Sequence, residues 1–180
     1  MKLRTLTMAF ALLLGVNTSA QAISNNSWQN ISDIGLYVTL GSAVLTPTLK
    51  KDWDGLGQAA WSIGVSSALT IALKNTVNRT RPDGSDRKSF PSGHAATSFA
   101  SATFLYRRYG WQAGFPAYAV AGLTGVARKL GQKHFWGDVA AGAAFGTISG
   151  WIFTDPYNDK VQLIPWADHN GAGVVVAMRW

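Results

Sequence analysis

Five apolar segments, separated by polar connections, make up most of the chain. They cover residues 34–49, 56–73, 95–106, 111–127 and 139–153. Each is rich in Ala, Gly and Ser, and side chains this small let helix backbones approach each other closely. Helix signals lie between the segments, since Pro82 follows the second and Ser92 stands as an N-cap before the third. The pattern predicts an all-α fold, a compact bundle of about five helices.

Residues 1–22 have the pattern of a secretory signal peptide. A basic start precedes an apolar run over residues 8–16, which is shorter than the roughly 20 residues of a membrane-spanning helix. The small residues of Ala20-Gln21-Ala22 then form an ending that a signal peptidase accepts. We expect export and cleavage before Ile23, with an uncleaved anchor helix as the alternative.

The remaining chain is long enough for one domain with a single core, which we place at residues 23–160. Residues 161–180 form a C-terminal tail with a different pattern. In the tail, Asp168-His169-Asn170-Gly171 has the composition of a tight turn, and three consecutive valines follow it. The tail is therefore predicted to form a short β-hairpin.

Composition and charge narrow the chemistry. The chain has no cysteine, so disulfides and thiolate metal sites are impossible. Its formal charge is +7, and loss of Lys2 and Arg4 with the signal would leave +5. Export and a basic character together indicate anionic substrates rather than nucleic acid.

Two features of the sequence disagree about a membrane. The apolar segments are shorter than about 20 residues, which favours a soluble bundle, and the mean hydropathy is only +0.06. However, Lys50-Lys51 and Arg107-Arg108 fall in alternate connections, so up-and-down threading puts both basic pairs on one, inner face. The same threading places residues 74–92 and 128–138 on the outer face. We therefore expect an inner-membrane protein whose functional residues face the periplasm, with a soluble or peripheral periplasmic protein as the alternative.

The first two clusters of candidate residues lie at the ends of helical segments. Lys74 and Arg81 follow the second segment and could hold phosphate oxygens, Lys as a point charge and Arg through a bidentate fork. Before the third segment, Ser92 and Gly93 offer a hydroxyl and backbone donors at a helix N-terminus, which is a natural oxyanion site. His94 would lie in the first turn of that helix.

The third cluster consists of Arg128, His134 and Asp138. The last two share one face if that stretch is helical. Asp138 could then accept the Nδ1 hydrogen of His134 and leave Nε2 as an oriented nucleophile. Taken singly, each cluster also has an ordinary structural explanation, as a solvated basic helix end, an N-cap beside a structural histidine, or a surface pair four residues apart.

Together, the clusters form the patterns Lys-x6-Arg-Pro, Pro-Ser-Gly-His and Arg-x5-His-x3-Asp over residues 74–138. In these motifs the chain resembles the type 2 phosphatidic acid phosphatase superfamily, which includes lipid phosphate phosphatases, bacterial class A acid phosphatases and vanadium haloperoxidases. The resemblance implies a phosphatase that needs neither a metal nor another cofactor. One position departs from the family pattern, because Ala127 stands where the family has a serine before the motif arginine.

The resemblance also implies a role for each motif residue. His134 would attack phosphorus, Asp138 would orient it, and His94 would protonate the leaving oxygen. The phosphoryl oxygens would be held by Lys74, Arg81, Ser92, Gly93 and Arg128. The substrate would be a lipid phosphate or diphosphate, such as phosphatidic acid, an isoprenoid diphosphate or lipid A, if the bundle lies in a membrane. A soluble bundle would act on small phosphomonoesters instead.

Other functions must be weighed against a phosphatase. The two histidines and the aspartate also match the ligand set of a non-haem iron site. Against a metal site, the cations Lys74, Arg81 and Arg128 would repel a divalent ion and attract phosphate. Haloperoxidase chemistry is possible on the same fold, although those chains are generally much longer. Outside the enzymes, Ala127 leaves open a protein that binds phosphate headgroups without turnover.

Overall fold

The computed structural model describes residues 23–157, 161–168 and 171–178, so the predicted signal peptide lies outside the described residues. Its elements are α1 (Asn25–Lys50), α2 (Trp53–Thr76), α3 (Gly93–Tyr109), α4 (Trp111–Leu130), α5 (Trp136–Phe153), β1 (Val161–Asp168) and β2 (Gly171–Met178). The two strands pair antiparallel, with Asp168 opposite Gly171 at the turn. The predicted all-α bundle of five helices and the C-terminal hairpin are confirmed.

Helix α1 begins earlier than the apolar pattern predicts, at Asn25 rather than near residue 34. Ser24 caps it, because the Ser27 N–H donates to the Ser24 hydroxyl oxygen at 3.1 Å. The additional turns carry mostly polar side chains, so hydrophobic periodicity does not reveal them. They bring Asp33 into contact with His94, one of the candidate functional residues.

The helices run alternately up and down, as the threading argument assumes. At one end of the bundle, called the site end below, Asp33 of α1 contacts His94 at the start of α3 and Arg128 at the end of α4. At the opposite end, called the distal end, Asp52 precedes α2 and binds Arg108 in the last turn of α3. All three candidate clusters therefore lie at the site end.

Helix α3 is the central helix and packs against the other four. Helix α5 approaches it most closely along a row of glycines, because a Cβ at Gly142 or Gly146 would overlap carbonyl oxygens of the α3 segment. This close approach sets the start of α5 beside the start of α3. There, the Ser92 N–H donates to the Asp138 carbonyl oxygen at 2.9 Å.

The distribution of side chains is the reverse of that in a water-soluble bundle. Fully buried hydroxyl side chains include Ser32, Ser62, Ser89, Ser92, Ser98, Ser101, Thr103 and Thr124. Exposed large apolar side chains include Ile34, Tyr37, Leu45, Leu49, Ile71, Trp111, Phe115, Leu123, Ile148 and Ile152. Small residues between helices and bulky apolar residues outside are typical of helices that pack in lipid.

The observed helix lengths correct, for three of the five helices, the expectation that they are too short to span a bilayer, while α3 and α5 contain 17 and 18 residues. Helices α1, α2 and α4 contain 26, 24 and 20 residues, and a spanning helix needs about 20. Within the described part of the chain, one helix, α2, is both long enough and apolar enough on average to cross a membrane.

Contacts at the distal end reduce the number of basic residues that can determine the orientation of the bundle in a membrane. Arg108 is only 3% exposed, and its guanidinium donates to both carboxylate oxygens of Asp52, at 2.8 and 2.6 Å. Tyr109 donates a third hydrogen bond to the same carboxylate, at 2.8 Å. The charge of Arg108 is therefore neutralised inside the protein. Of the two basic pairs, Lys50, Lys51 and Arg107 retain charges that can interact with a membrane surface.

Candidate active site

The site end gathers all eight residues that the motifs single out, from six parts of the chain. They come from the end of α2, the connection before α3, the first turn of α3, the end of α4, the segment that leads into α5, and the first turn of α5. Arg81 and Arg128 each interact electrostatically with both His94 and His134, which places the two histidines in one field of positive charge.

His134 is buried in the connection before α5, and its ring is fixed by a backbone carbonyl. The distance from His134 Nδ1 to the Ser89 carbonyl oxygen is 2.6 Å. Because a carbonyl can only accept, Nδ1 must carry the hydrogen and Nε2 must carry the lone pair. Burial lowers the pKa of His134 to about 3, and the positive charges of Arg128 and Lys74 contribute to this shift. His134 is therefore a neutral imidazole with a free Nε2 at physiological pH.

The structure corrects the expected relationship between His134 and Asp138. His134 lies before α5 rather than in it, so the two do not stack on a helical face. Asp138 Oδ2 is 3.9 Å from His134 Nδ1, beyond hydrogen-bonding distance. The fully buried carboxylate instead accepts from the Ser89 hydroxyl at 2.5 Å and the Phe135 N–H at 2.9 Å. Asp138 is thus linked to His134 only through Ser89, whose carbonyl oxygen contacts the ring.

Arg79 completes the surroundings of Asp138 and was not among the predicted site residues. Its Nη1 donates to Asp138 Oδ1 at 2.7 Å, and its guanidinium lies 4.5 Å from the centre of the Phe135 ring. Arg79 therefore neutralises the buried carboxylate. Its position two residues before Arg81, in a stretch already rich in cations, could have indicated such a structural partner.

His94 lies in the first turn of α3 and contacts a residue that the motifs do not contain. Its Nε2 is 2.8 Å from Asp33 Oδ1. Asp33 also lies 3.6 Å from Arg128 Nη1, so one carboxylate bridges a histidine and an arginine of the site. No sequence motif indicates Asp33, because the contact joins positions far apart in the chain.

Arg128 is buried at the end of α4, and part of its guanidinium has no hydrogen-bond partner among the described residues. Its Nη1 donates to the Ser32 hydroxyl at 3.3 Å. Its Nε is buried and makes no hydrogen bond to the described residues. A buried guanidinium donor without a partner is costly, and an anionic oxygen in the site would satisfy it. Ala127, which replaces the family serine, is fully buried beside it.

Lys74 and Arg81 are held close to the histidines by the connection before α3. Lys74 Nζ donates to the Lys88 carbonyl at 2.7 Å. Arg81 Nε donates to the Asp86 carboxylate at 2.7 Å, a bond that lowers the pKa of Asp86 and keeps it ionised. Both cations therefore lie at the site end and are not buried inside the bundle.

Ser92 and Gly93 form the start of α3, as predicted. Ser92 caps the helix, since its hydroxyl oxygen accepts from the Ala95 N–H at 3.4 Å. A Cβ at Gly93 would lie 3.9 Å from the Lys74 side chain, which shows how closely this helix start approaches the cation. The positive end of the helix dipole and the charge of Lys74 would therefore both attract an anion in the volume beside this helix start.

A groove opens from this volume between α1, α2 and α3. It has a volume of about 260 Å³, and its lining includes His94, Lys74, Leu36, Ile71 and Thr97. The polar end of the groove is therefore formed by site residues and the remainder by side chains of the helix faces. Among the described residues, no group of three or more His, Cys, Asp or Glu side chains clusters as a metal site would require.

Comparison with known proteins gives the following matches. The model of the PAP2 superfamily matches residues 55–161. The lipid A 1-phosphatase of Porphyromonas gingivalis is 40% identical over 118 residues, which cover 54% of this chain and 26% of that protein. The lipid A 4'-phosphatase of Helicobacter pylori is 30% identical over 121 residues, 61% of either chain. A decaprenylphosphoryl-5-phosphoribose phosphatase of Mycobacterium tuberculosis is 30% identical and is covered to 68%.

Solved structures share the fold. The LpxE of Aquifex aeolicus superimposes with a TM-score of 0.63 at 24% identity, covering 81% of this chain and 92% of the other. A transmembrane PAP2 type phosphatidylglycerolphosphate phosphatase from Bacillus subtilis gives a TM-score of 0.58, with 83% and 84% coverage. This chain spans 26% and 61% of the lengths of the two lipid A phosphatases. The family match, the relatives and the fold agree, and the chain belongs to the PAP2 superfamily.

Proposed function

We propose that this chain is a phosphoric ester hydrolase that removes phosphate from a lipid phosphomonoester or diphosphate through a phosphohistidine at His134. One observation carries the proposal. The bond from Nδ1 to the Ser89 carbonyl leaves Nε2 of a neutral, buried imidazole as a nucleophile within a field of fixed cations. We assign the catalytic domain to residues 23–160.

In the first step, Nε2 of His134 attacks phosphorus while the bond from phosphorus to the leaving oxygen breaks. His94 supplies a proton to that oxygen, which leaves as an alcohol. The imidazole of His134 then carries a positive charge. Asp138, 3.9 Å from Nδ1, stabilises that charge without a direct hydrogen bond.

In the second step, water attacks the phosphohistidine and His94 takes up the proton that the water loses. Phosphate leaves and His134 returns to its neutral form. Lys74, Arg81 and Arg128 would hold the three equatorial oxygens in both steps, with Ser92 and Gly93 at the helix start. Fixed donors of this kind act most strongly where charge develops in the transition state, so the cations perform the role that a metal ion has in other phosphatases.

The groove and the relatives support a lipid substrate. A phosphate beside His94 and Lys74 would leave the rest of its molecule along Leu36 and the exposed Ile71, towards the outer surface of the bundle. The relatives are named for lipid A and for decaprenylphosphoryl-phosphoribose, which are large amphiphiles. A phosphate or diphosphate ester with a long apolar group therefore fits best.

We further propose that the bundle lies in the inner membrane with its site end towards the periplasm. The exposed apolar side chains of α1, α4 and α5 would contact lipid acyl chains. Lys50, Lys51 and Arg107 at the distal end would then face the cytoplasm, in line with the positive-inside rule.

Cysteine labelling tests this orientation, because the chain contains no cysteine of its own. Arg87→Cys places a thiol at the site end and Lys51→Cys places one at the distal end. In intact cells, a membrane-impermeant maleimide should label the first and not the second, whereas both should react after detergent lysis. Equal labelling of both variants in intact cells would contradict the membrane orientation.

Phosphate release from purified protein tests the activity. The protein in detergent should release inorganic phosphate from phosphatidic acid or an isoprenoid diphosphate at rates that EDTA does not change. Vanadate should inhibit, since it can adopt the five-coordinate geometry of the transition state with His134 as an axial ligand. Activity that is lost in EDTA and restored by zinc or iron would instead support a metal mechanism.

The same measurement separates two further candidates. A soluble acid phosphatase would prefer small phosphoesters and would need no detergent for purification. A protein that only binds phosphate headgroups would bind lipid phosphate without releasing phosphate, and the buried Ala127 beside Arg128 is the observation that keeps this candidate.

A further inference from the structure

Asp33 lies outside the motifs, yet its carboxylate faces the centre of the site. Its Oδ1 is 2.8 Å from His94 Nε2 and 3.6 Å from Arg128 Nη1. We propose that Asp33 is a positioning residue for His94, which holds the ring through its Nε2 hydrogen and stabilises its protonated form. The inference rests on the proposed function, because it deepens the role of His94 as general acid.

The contact with Asp33 determines which nitrogen of His94 can donate a proton to the substrate. With the Nε2 hydrogen directed at Asp33, Nδ1 becomes the nitrogen that donates to the leaving oxygen. Among the described residues, Nδ1 of His94 has no hydrogen-bond partner in the protein, so it is available for this role. The histidines thus use opposite nitrogens, since His134 is held at Nδ1 and reacts at Nε2.

The position of Asp33 is fixed by neighbouring contacts of α1. Gln29 Nε2 donates to the Gly131 carbonyl at 3.2 Å, and Ser32 accepts a bond from Arg128 at 3.3 Å. Both contacts anchor the polar N-terminal turns of α1 to the end of α4. These are the turns that the apolar pattern omits, so the longer α1 has a specific consequence for the site.

Charge explains why His94 needs a carboxylate. The groups that face it are Lys74 of α2 along the shared groove, Arg81 of the connection before α3, and Arg128 of α4, all positive. These cations attract the phosphate, but they also oppose protonation of a nearby imidazole. Asp33 of α1 is the negative group that interacts with His94 against them. A site that binds an anion and also needs a cationic acid therefore requires such a counter-charge.

The proton balance follows from this geometry. The imidazolium of His94 gives its Nδ1 proton to the leaving oxygen as the phosphorus–oxygen bond breaks and the bond from phosphorus to His134 forms. His94 is then neutral and keeps its Nε2 hydrogen on Asp33. When water attacks phosphorus, Nδ1 takes the proton of the water, the bond to His134 breaks, and the imidazolium is restored.

The test is Asp33→Asn, which keeps an oxygen acceptor near Nε2 and removes the charge. Purified in detergent, it should lose about tenfold to a hundredfold in kcat on phosphatidic acid at neutral pH, with KM little changed. The alkaline limb of its pH profile should move about one pH unit lower, because the imidazolium loses its counter-charge. On p-nitrophenyl phosphate, whose leaving group needs no acid, the loss should be small.

Two variants serve as controls. Asp33→Glu restores the charge and should recover part of the rate and of the alkaline limb. Asp83→Asn removes an aspartate at the same end that binds Lys133 at 2.7 Å and contacts neither histidine. It should retain the wild-type profile, which controls for a general effect of lost negative charge.

Failure of the inference can be distinguished from failure of the proposed function. An unshifted profile for Asp33→Asn, an equal loss on both substrates, or a lower KM with a higher kcat would overturn the role of Asp33, provided that the wild type is active and His134→Ala is not. Activity in His134→Ala, or none in the wild type on any phosphoester, would overturn the proposed function, and the role of Asp33 with it.

Discussion

Replacing His134 by Ala is expected to abolish phosphate release from every substrate, whatever its leaving group. The proposed nucleophile is its Nε2, and no covalent route exists without that nitrogen. Loss of a covalent nucleophile costs other enzymes on the order of a million-fold in kcat. Release from p-nitrophenyl phosphate and phosphatidic acid should therefore both fall to background. An acid-labile phosphoenzyme, trapped by rapid quenching in the wild type, should be missing from the variant.

A second variant separates the nucleophile from the stability of the site. In His134→Asn, the side-chain amide can still donate to the Ser89 carbonyl, which the buried ring does at 2.6 Å. It offers no nucleophilic nitrogen, so it should be as inactive as His134→Ala while unfolding at a temperature closer to that of the wild type. A phosphoenzyme in either variant would show that another residue attacks phosphorus.

The motif residues meet at one end of the bundle because up-and-down threading leaves little freedom. Once five helices alternate in direction, the end of α2, the start of α3 and the end of α4 must meet at one end of the bundle. Lys74, His94 and Arg128 therefore come together for topological reasons, and charge identifies what they could bind. The hairpin is predictable for a different, local reason, because the composition of residues 168–171 indicates a turn without any tertiary contact.

What the sequence could not predict depends on contacts between distant parts of the chain. Asp33 reaches His94 across 61 positions, in turns of α1 that lack an apolar pattern. Ser89 holds His134 through a backbone carbonyl, which every residue type has, so no sequence signal exists. The spacing between His134 and Asp138 suggested a direct bond, but the start of α5 falls between them and Asp138 binds Ser89 instead.

At the distal end, the sequence does not show which cations are paired with a carboxylate. Arg108 counts as a surface cation in the sequence, although it is buried against Asp52. Pairing of this kind depends on which residues of separate helices meet, and a count of basic residues cannot include it. Lys50, Lys51 and Arg107 are therefore the residues of the two basic pairs that can determine the orientation in a membrane.

Replacing His94 by Ala is expected to cause a loss that depends on the leaving group. The proposed general acid contributes typically about a hundredfold to ten-thousandfold. A lipid alcohol leaves poorly as an alkoxide, so the variant should lose that full factor on phosphatidic acid. The p-nitrophenolate anion departs readily without a proton, and the first step with p-nitrophenyl phosphate should be far less affected. Rates on the two substrates, measured with quenched phosphoenzyme, test the difference.

Hydrolysis of the phosphohistidine, the second step of the reaction, gives a further test of the role of His94. If His94 also takes the proton from the attacking water, His94→Ala should accumulate phosphohistidine with p-nitrophenyl phosphate, because formation is fast and hydrolysis is slow. His94→Gln is the matched control, since its amide can still donate to Asp33, which the wild-type ring contacts at 2.8 Å, but cannot transfer a proton. It should behave as His94→Ala does. Equal losses on both substrates for these variants would refute the role of His94 as general acid and leave His134 as the nucleophile.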